Sequence, residues 1–131
     1  MHTKKMEDLF DITKNWQYVS ALERYFFDTA GHLSNDYDGG YWRSKKLANS
    51  WYFLLDEDKK FEVDTIEVTS KTFSYVVNYI VLVNMINILH DKELEQDPLN
   101  LELRHIWMNL INSVELVLNE EERFNYYKLI D

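Results

Sequence analysis

The 17 residues from Phe73 to Leu89 form the longest apolar run of the chain, although three asparagines interrupt it. The run is short for a transmembrane helix, which needs about 20 apolar residues. A helix that is apolar on most sides is buried inside a fold. We expect this helix to extend from Ser70, which can cap it, to about His90. Its only polar stripe is narrow and consists of Lys71, Ser74 and Asn78. The sequence therefore predicts a central helix around which the other elements pack.

The composition fits a single domain, residues 1–131. The chain is 46% hydrophobic and 15% aromatic, which is ample for a buried core. Three glycines and one proline are too few for a long linker. Residues 1–14 are expected to form a loose N-terminal segment. The chain has no cysteine, and its start lacks the apolar core of a signal peptide, so we expect a cytoplasmic protein.

Helical periodicity flanks the central helix on both sides. Apolar residues recur at three- and four-residue spacing from Trp16 to Ala30, and Gly31 is placed to end that helix. Asp97-Pro98 is typical of an N-cap followed by a first-turn proline, which opens a helix through Leu118. Asn119 then precedes three glutamates, a second capped helix start.

Aromatic-rich runs between residues 41 and 69 predict β-structure. Strands are expected over Tyr41–Leu47 and Trp51–Leu55, with residues 48–50 as a hairpin turn. In a third strand, Phe61–Thr69, the apolar residues change face, which suggests a bulge near Asp64-Thr65. The predicted fold class is α+β, with a small antiparallel β-sheet of about three strands packed through one face against several α-helices.

The net charge of −9 restricts the partners. Binding to duplex DNA requires lysines and arginines that neutralise phosphates, and an anionic membrane repels an acidic surface. We therefore expect neither direct nucleic-acid binding nor membrane binding. The acidity is concentrated at the C-terminal end, where residues 91–131 hold 10 acids and 4 bases.

Motifs for catalysis are missing from the sequence. The four histidines show no spacing of a zinc motif; they are His2, His32, His90 and His105. Glu102-x-x-His105 resembles half of a di-iron site, but the chain has no second copy. Gly39-Gly40 lacks the spacing of a nucleotide-binding loop. Acidic turn residues are usually solvated turn formers. The sequence therefore predicts no enzyme, no metal site and no cofactor.

The segment Asp36-Tyr37-Asp38-Gly39-Gly40-Tyr41-Trp42 stands out, because two adjacent glycines directly precede an aromatic strand. Glycines in this position indicate either a positive φ or the close approach of another chain to that backbone. In one interpretation the segment is a structural corner with Trp42 as its core anchor. In the other, a loop presents Tyr37 and its flanking aspartates to a partner.

This segment, with Leu47-x-Asn49 and an aromatic strand after it, resembles the signature of ArdB-type antirestriction proteins. The order of the other elements is also similar, over about residues 16–131. Where the family usually has Ser-Asn-Gly-Gly, this chain has Ala48-Asn49-Ser50-Trp51. Members of the family are encoded on mobile genetic elements: plasmids, phages and genomic islands.

The resemblance implies an inhibitor of a host type I restriction–modification enzyme that works stoichiometrically and without catalysis. Two mechanisms are open. A protein-contact inhibitor would use aromatic anchors within a polar rim, whereas a DNA mimic would fill a basic channel with carboxylates. Related alternatives are an anti-CRISPR inhibitor and an antitoxin or immunity protein. An enzyme with an unrecognised site is a further class.

Candidate residues follow from these interpretations. The partner-binding candidates lie in the signature loop and in the next acidic turn: Asp36, Tyr37, Asp38, Tyr41, Asp56, Glu57 and Asp58. Structural roles are expected for Gly39, Gly40, Trp42 and Asn49. The expected partner is a protein of a bacterial restriction–modification or other defence complex.

Overall fold

The computed structural model describes residues 6–131 and confirms an α+β fold. Over this part of the chain, four α-helices accompany two antiparallel sheets of two strands each. The helices are α1 (Trp16–Leu33), α2 (Ser70–Asp91), α3 (Pro98–Val117) and α4 (Glu120–Ile130). The strands are β1 (Trp42–Leu47), β2 (Ser50–Leu55), β3 (Lys60–Val63) and β4 (Ile66–Thr69). A 3₁₀ helix, Met6–Asp11, precedes α1.

Helix α2 is the central helix. Two residues of its polar stripe, Ser74 and Asn78, are buried against β2, whereas Lys71 is partly exposed and pairs with Glu122. The length and composition of α2 would also suit a membrane span, but 61% of its most apolar window is buried, as in the core helix of a soluble protein. Ser74 Oγ accepts the N–H of Leu55 at 2.9 Å, and Asn78 Oδ1 accepts the N–H of Phe53 at 3.1 Å. These side chains satisfy backbone groups of β2 that no neighbouring strand reaches. The helix is capped by Thr69 rather than by Ser70, whose hydroxyl donates to the Leu55 carbonyl instead.

Strand β2 is buried on both faces, so the expectation of helices against one face is wrong. Phe53 packs into the main core against Phe26 of α1. On the opposite face, Tyr52 packs against Tyr75 in a second apolar cluster formed with α3 and α4. Strand β1 pairs with β2 through a tight turn, in which Ala48 has a φ of 49°.

The third predicted strand is instead a hairpin, so the single sheet of about three strands becomes two sheets. Asp64 and Thr65 have φ values of 48° and 68°, as a type I′ turn requires at both central residues. Phe61 therefore lies opposite Val68 on the same face. The change of face in the sequence comes from chain reversal and not from a bulge.

Of three further helix ends predicted from the sequence, two are confirmed. Asp97 accepts the Leu99 N–H at 2.8 Å, and Asn119 forms a capping box with Glu122, as predicted. Gly31, however, does not end α1, which continues to Leu33. Leu33 packs against both apolar clusters, and this burial favours another half-turn of helix.

The described part of the predicted loose segment, residues 6–14, is folded against the rest of the chain. Leu9 is buried in the main core. Thr13 Oγ1 donates to Asp97 at 2.8 Å, which joins this segment to the start of α3. Residues 1–5, including His2, lie outside the described residues.

Candidate interaction surface

Residues 36–42 form a tight corner that leads into β1, and its two glycines have different surroundings. Gly39 has a φ of +85°, a conformation that side chains disfavour. At Gly40 an added Cβ would overlap the Glu57 carboxylate and come within 2.8 Å of Leu55 Cδ1. The positive φ expected for the glycine pair is therefore found at Gly39, whereas the close neighbours of Gly40 are the Glu57 and Leu55 side chains of this chain.

Trp42 is buried, with 8% of its surface exposed. Its ring lies 5.3 Å from that of Phe26 in the main core. Its indole N–H donates to the Tyr37 hydroxyl at 3.0 Å, which satisfies the polar end of the side chain. Trp42 therefore joins the corner to α1.

Tyr37 helps to build the corner from the inside. Its ring is half-buried against the main core, and its hydroxyl donates to the Gly40 carbonyl at 3.4 Å. Burial raises the pKa of Tyr37, and the Glu57 and Asp38 carboxylates act in the same direction, against the hydrogen bond from Trp42. Only part of the ring is open to a partner.

Tyr41 is the aromatic side chain that projects from the corner. It is 71% exposed and lies between the two fixed points Gly40 and Trp42. Large aromatic side chains on rigid supports are typical anchors of protein interfaces. Tyr41 is thus the corner residue with the geometry of a contact residue.

Asp36 holds the corner to the second hairpin. Its carboxylate accepts the backbone N–H of Glu62 at 2.8 Å, and its carbonyl accepts from Lys59 Nζ at 2.6 Å. Its own N–H donates to Ser34 Oγ at 3.2 Å. The Asp36 carboxylate is therefore committed to a backbone contact within the fold.

Two cations lie among the other candidate acids. Lys59 Nζ is 3.5 Å from Asp38 and 3.6 Å from Glu57, and it also lies over the Phe61 ring. Arg43 donates to the Asp56 carboxylate. Asp58 is exposed at the tip of the same turn. The structure thus brings the two acidic segments together around Lys59, and it partly neutralises them.

A groove of about 230 Å³ opens beside Tyr41, between α1 and β1. Apolar side chains form most of its lining, and one acid and one base complete it. The lining residues are Met6, Glu23, Phe26, Phe27, Tyr41, Trp42 and Arg43.

The pair Glu102 and His105 has a structural setting on α3. Glu102 accepts the indole N–H of Trp51 at 3.1 Å, and His105 Nε2 lies 3.4 Å from the Asn49 carbonyl. Both residues therefore hold the β1–β2 hairpin against α3, and Asn49 takes part through its backbone. Among residues 6–131, no three histidine or acidic side chains are grouped so that they could hold a metal ion.

Glu23, Phe27, Arg43 and Lys59 complete this surface, and sequence reasoning missed them. The outward position of Glu23 was visible in the helical pattern of α1. The pairing of Arg43 with Asp56 and the position of Lys59 depend on contacts between distant segments, for which no local pattern exists.

Comparison with known proteins gives no match: no family model, curated protein or solved structure is significantly similar to this chain.

Proposed function

We propose that the protein is an antirestriction protein that inhibits a bacterial type I restriction–modification enzyme by stoichiometric protein contact, without catalysis. The resemblance of residues 36–42 to the ArdB-type signature supports this proposal. The observation that carries it is the geometry of Tyr41, 71% exposed on a corner that Trp42 and Asp36 fix on either side. A rigid, projecting aromatic residue suits a contact inhibitor, because little conformational entropy is lost when it binds.

The charges of the corner favour protein contact over DNA mimicry. Lys59 pairs with Asp38 and Glu57, and Arg43 pairs with Asp56. These carboxylates are therefore partly neutralised, which weakens their attraction to a basic DNA-binding channel. The Asp36 carboxylate already accepts a backbone N–H. Tyr41 and the groove beside it give a contact mechanism an apolar centre with a polar rim.

The cellular setting belongs to the same proposal. Type I restriction enzymes act on DNA in the bacterial cytoplasm, so an inhibitor of them works there. A stoichiometric inhibitor needs a complementary surface and no reacting group, cofactor or metal.

The experiment is the plating of unmodified phage on two isogenic hosts, with and without a type I system, each expressing the protein or an empty vector. We expect the protein to restore plating on the restricting host and to leave plating on the other host unchanged. Unrelieved restriction, with soluble protein present in the cells, contradicts the proposal. Parallel hosts carry a CRISPR system or a toxin instead of the type I system. If the protein protects only one of these hosts, that system is its target in place of the type I enzyme.

A charge-neutralised variant separates the two mechanisms. Asp38→Asn combined with Asp58→Asn removes two exposed charges and leaves the Asp36 contact intact. Protein contact predicts that this variant still protects. Mimicry predicts weaker protection, and added salt would weaken inhibition by the parent protein in a purified assay.

A further inference from the structure

The groove between α1 and β1 has the size and lining of a pocket for one side chain. Phe26 and Trp42 are buried at its base, whereas Phe27 and Tyr41 are exposed beside it. Its volume of about 230 Å³ exceeds the roughly 150 Å³ of an apolar cavity that holds benzene. One large apolar side chain of a partner therefore fits.

Exposed aromatic residues continue from the groove along α1. Trp16, Glu23 and Phe27 are spaced by seven and four residues and so lie on one face of the helix. Trp16 is 61% exposed and Phe27 is 40% exposed. Phe27 and Tyr41 thus form an exposed aromatic pair at the groove, of the kind that protein interfaces favour. Trp16 lies on the same helix face, about 16 Å away along the axis.

The charges at the groove indicate which charge a bound partner segment should carry. The guanidinium of Arg43 is engaged by Asp56. Glu23 forms no ion pair with any cation of the described residues. Among residues 6–131, the open charge at the groove is therefore a carboxylate, on a chain with a net charge of −9. A second copy would bring the same negative charge, and a nucleic acid would bring phosphates, so both are disfavoured.

We propose that the groove binds a short basic-apolar segment of a protein partner, with one large apolar side chain between Phe27 and Tyr41 and a nearby lysine or arginine paired with Glu23. The inference rests on the proposed function only in taking the partner to be a protein, and it adds the chemistry of the segment recognised.

The test is a selection of random dodecapeptides from a display library by the full-length protein. We expect the selected peptides to share a large apolar residue with lysine or arginine within four positions. Glu23→Lys should change the selected charge to aspartate or glutamate. Glu67→Lys is the matched control, because Glu67 is an exposed acid on β4 that does not line the groove. The peptides selected by Glu67→Lys should share the motif selected by the parent protein.

A synthetic peptide from the selection then gives the affinity. Phe27→Ala should weaken its binding by about tenfold, as loss of a well-packed contact does. No shared motif, or an unchanged motif with Glu23→Lys, overturns the inference. If the motif is selected but the protein does not relieve restriction in the plating test, the groove proposal stands and the antirestriction proposal is wrong. If the protein relieves restriction but selects no motif, the antirestriction proposal stands and the groove proposal is wrong.

Discussion

The indole N–H of Trp42 donates a 3.0 Å hydrogen bond to the hydroxyl of Tyr37, five residues earlier in the chain. That hydroxyl donates in turn to the Gly40 carbonyl, so a chain of hydrogen bonds crosses the corner that displays Tyr41. The residue expected to reach a partner, Tyr37, and the residue expected to anchor the core thus form one unit. The exposed side chain of the corner is that of Tyr41, the residue before Trp42.

Replacement of Trp42 tests its role as the core anchor. Trp42→Ala removes a large buried ring that packs against Phe26, and losses of this kind cost about 3–5 kcal/mol. Urea denaturation should show this decrease in the free energy of unfolding. A variant that melts within a degree or two of the parent would contradict a core role and make Trp42 a contact candidate.

Tyr37→Phe keeps the ring and removes the acceptor of the Trp42 indole N–H. A buried donor without a partner costs about 1–3 kcal/mol, so we expect a loss in that range. Tyr25→Phe, at a half-buried tyrosine of α1, is the control and should change the unfolding free energy little. Equal stability of Tyr37→Phe and the parent would show that the indole finds another acceptor.

Alanine at two glycines should change stability in opposite directions. Gly31 lies inside α1 with open space around it, so Gly31→Ala should stabilise the protein by about 0.5–1 kcal/mol. Gly39 has a φ of +85°, so Gly39→Ala should destabilise it by about 1 kcal/mol. Thermal melts check both signs. A stabilising Gly39→Ala would mean that the corner adopts another backbone conformation.

Glu122 should make stability depend on pH in the acid range. Burial alone would raise its pKa, but hydrogen bonds from Asn119 and Thr69 and the charge of Lys71 lower it below the ordinary 4.5. Because the folded pKa is the lower one, the stabilisation is present above pH 4.5 and is lost as the pH falls through the folded value.

Glu122→Gln should therefore lower stability at pH 7 by about 1.5–3 kcal/mol, the range for hydrogen bonds to charged groups. It should also flatten the decrease of stability between pH 5 and 3. Urea denaturation across that range measures both effects. The control is Glu120→Gln, an exposed residue of the same helical turn, which should retain the slope of the parent. An unchanged slope in Glu122→Gln would exclude Glu122 as its source.

Local signals predicted the helices well because a cap acts within a few residues. Asp97 and Asn119 could be recognised for that reason. Gly31 misled because its local preference was outweighed by the burial of Leu33, two residues later. The second hairpin was missed because Asp64-Thr65 lacks the glycine or asparagine typical of its turn, and a bulge gives the same change of face.

The candidate site divides along the same line. The positive φ of Gly39 could be predicted from sequence, because a left-handed backbone is one of the two reasons for glycine at such a position. The roles of Tyr37 and Tyr41 could not be separated, because they depend on long-range packing: the Tyr37 ring packs against Phe73, and Phe26 holds Trp42, the residue next to Tyr41. The ion pairs of Lys59 and Arg43 join distant segments, and charge alone does not reveal them.

The most direct measurement is the plating efficiency of unmodified phage on a type I restricting host that expresses Tyr41→Ala. Phe124→Ala is the control, because Phe124 is similarly exposed at 67% but lies on α4, away from the corner. Both variants should be folded, since neither side chain is buried. We predict that the parent and Phe124→Ala restore plating, while Tyr41→Ala loses most of the protection. Full protection by folded Tyr41→Ala would contradict inhibition through this corner.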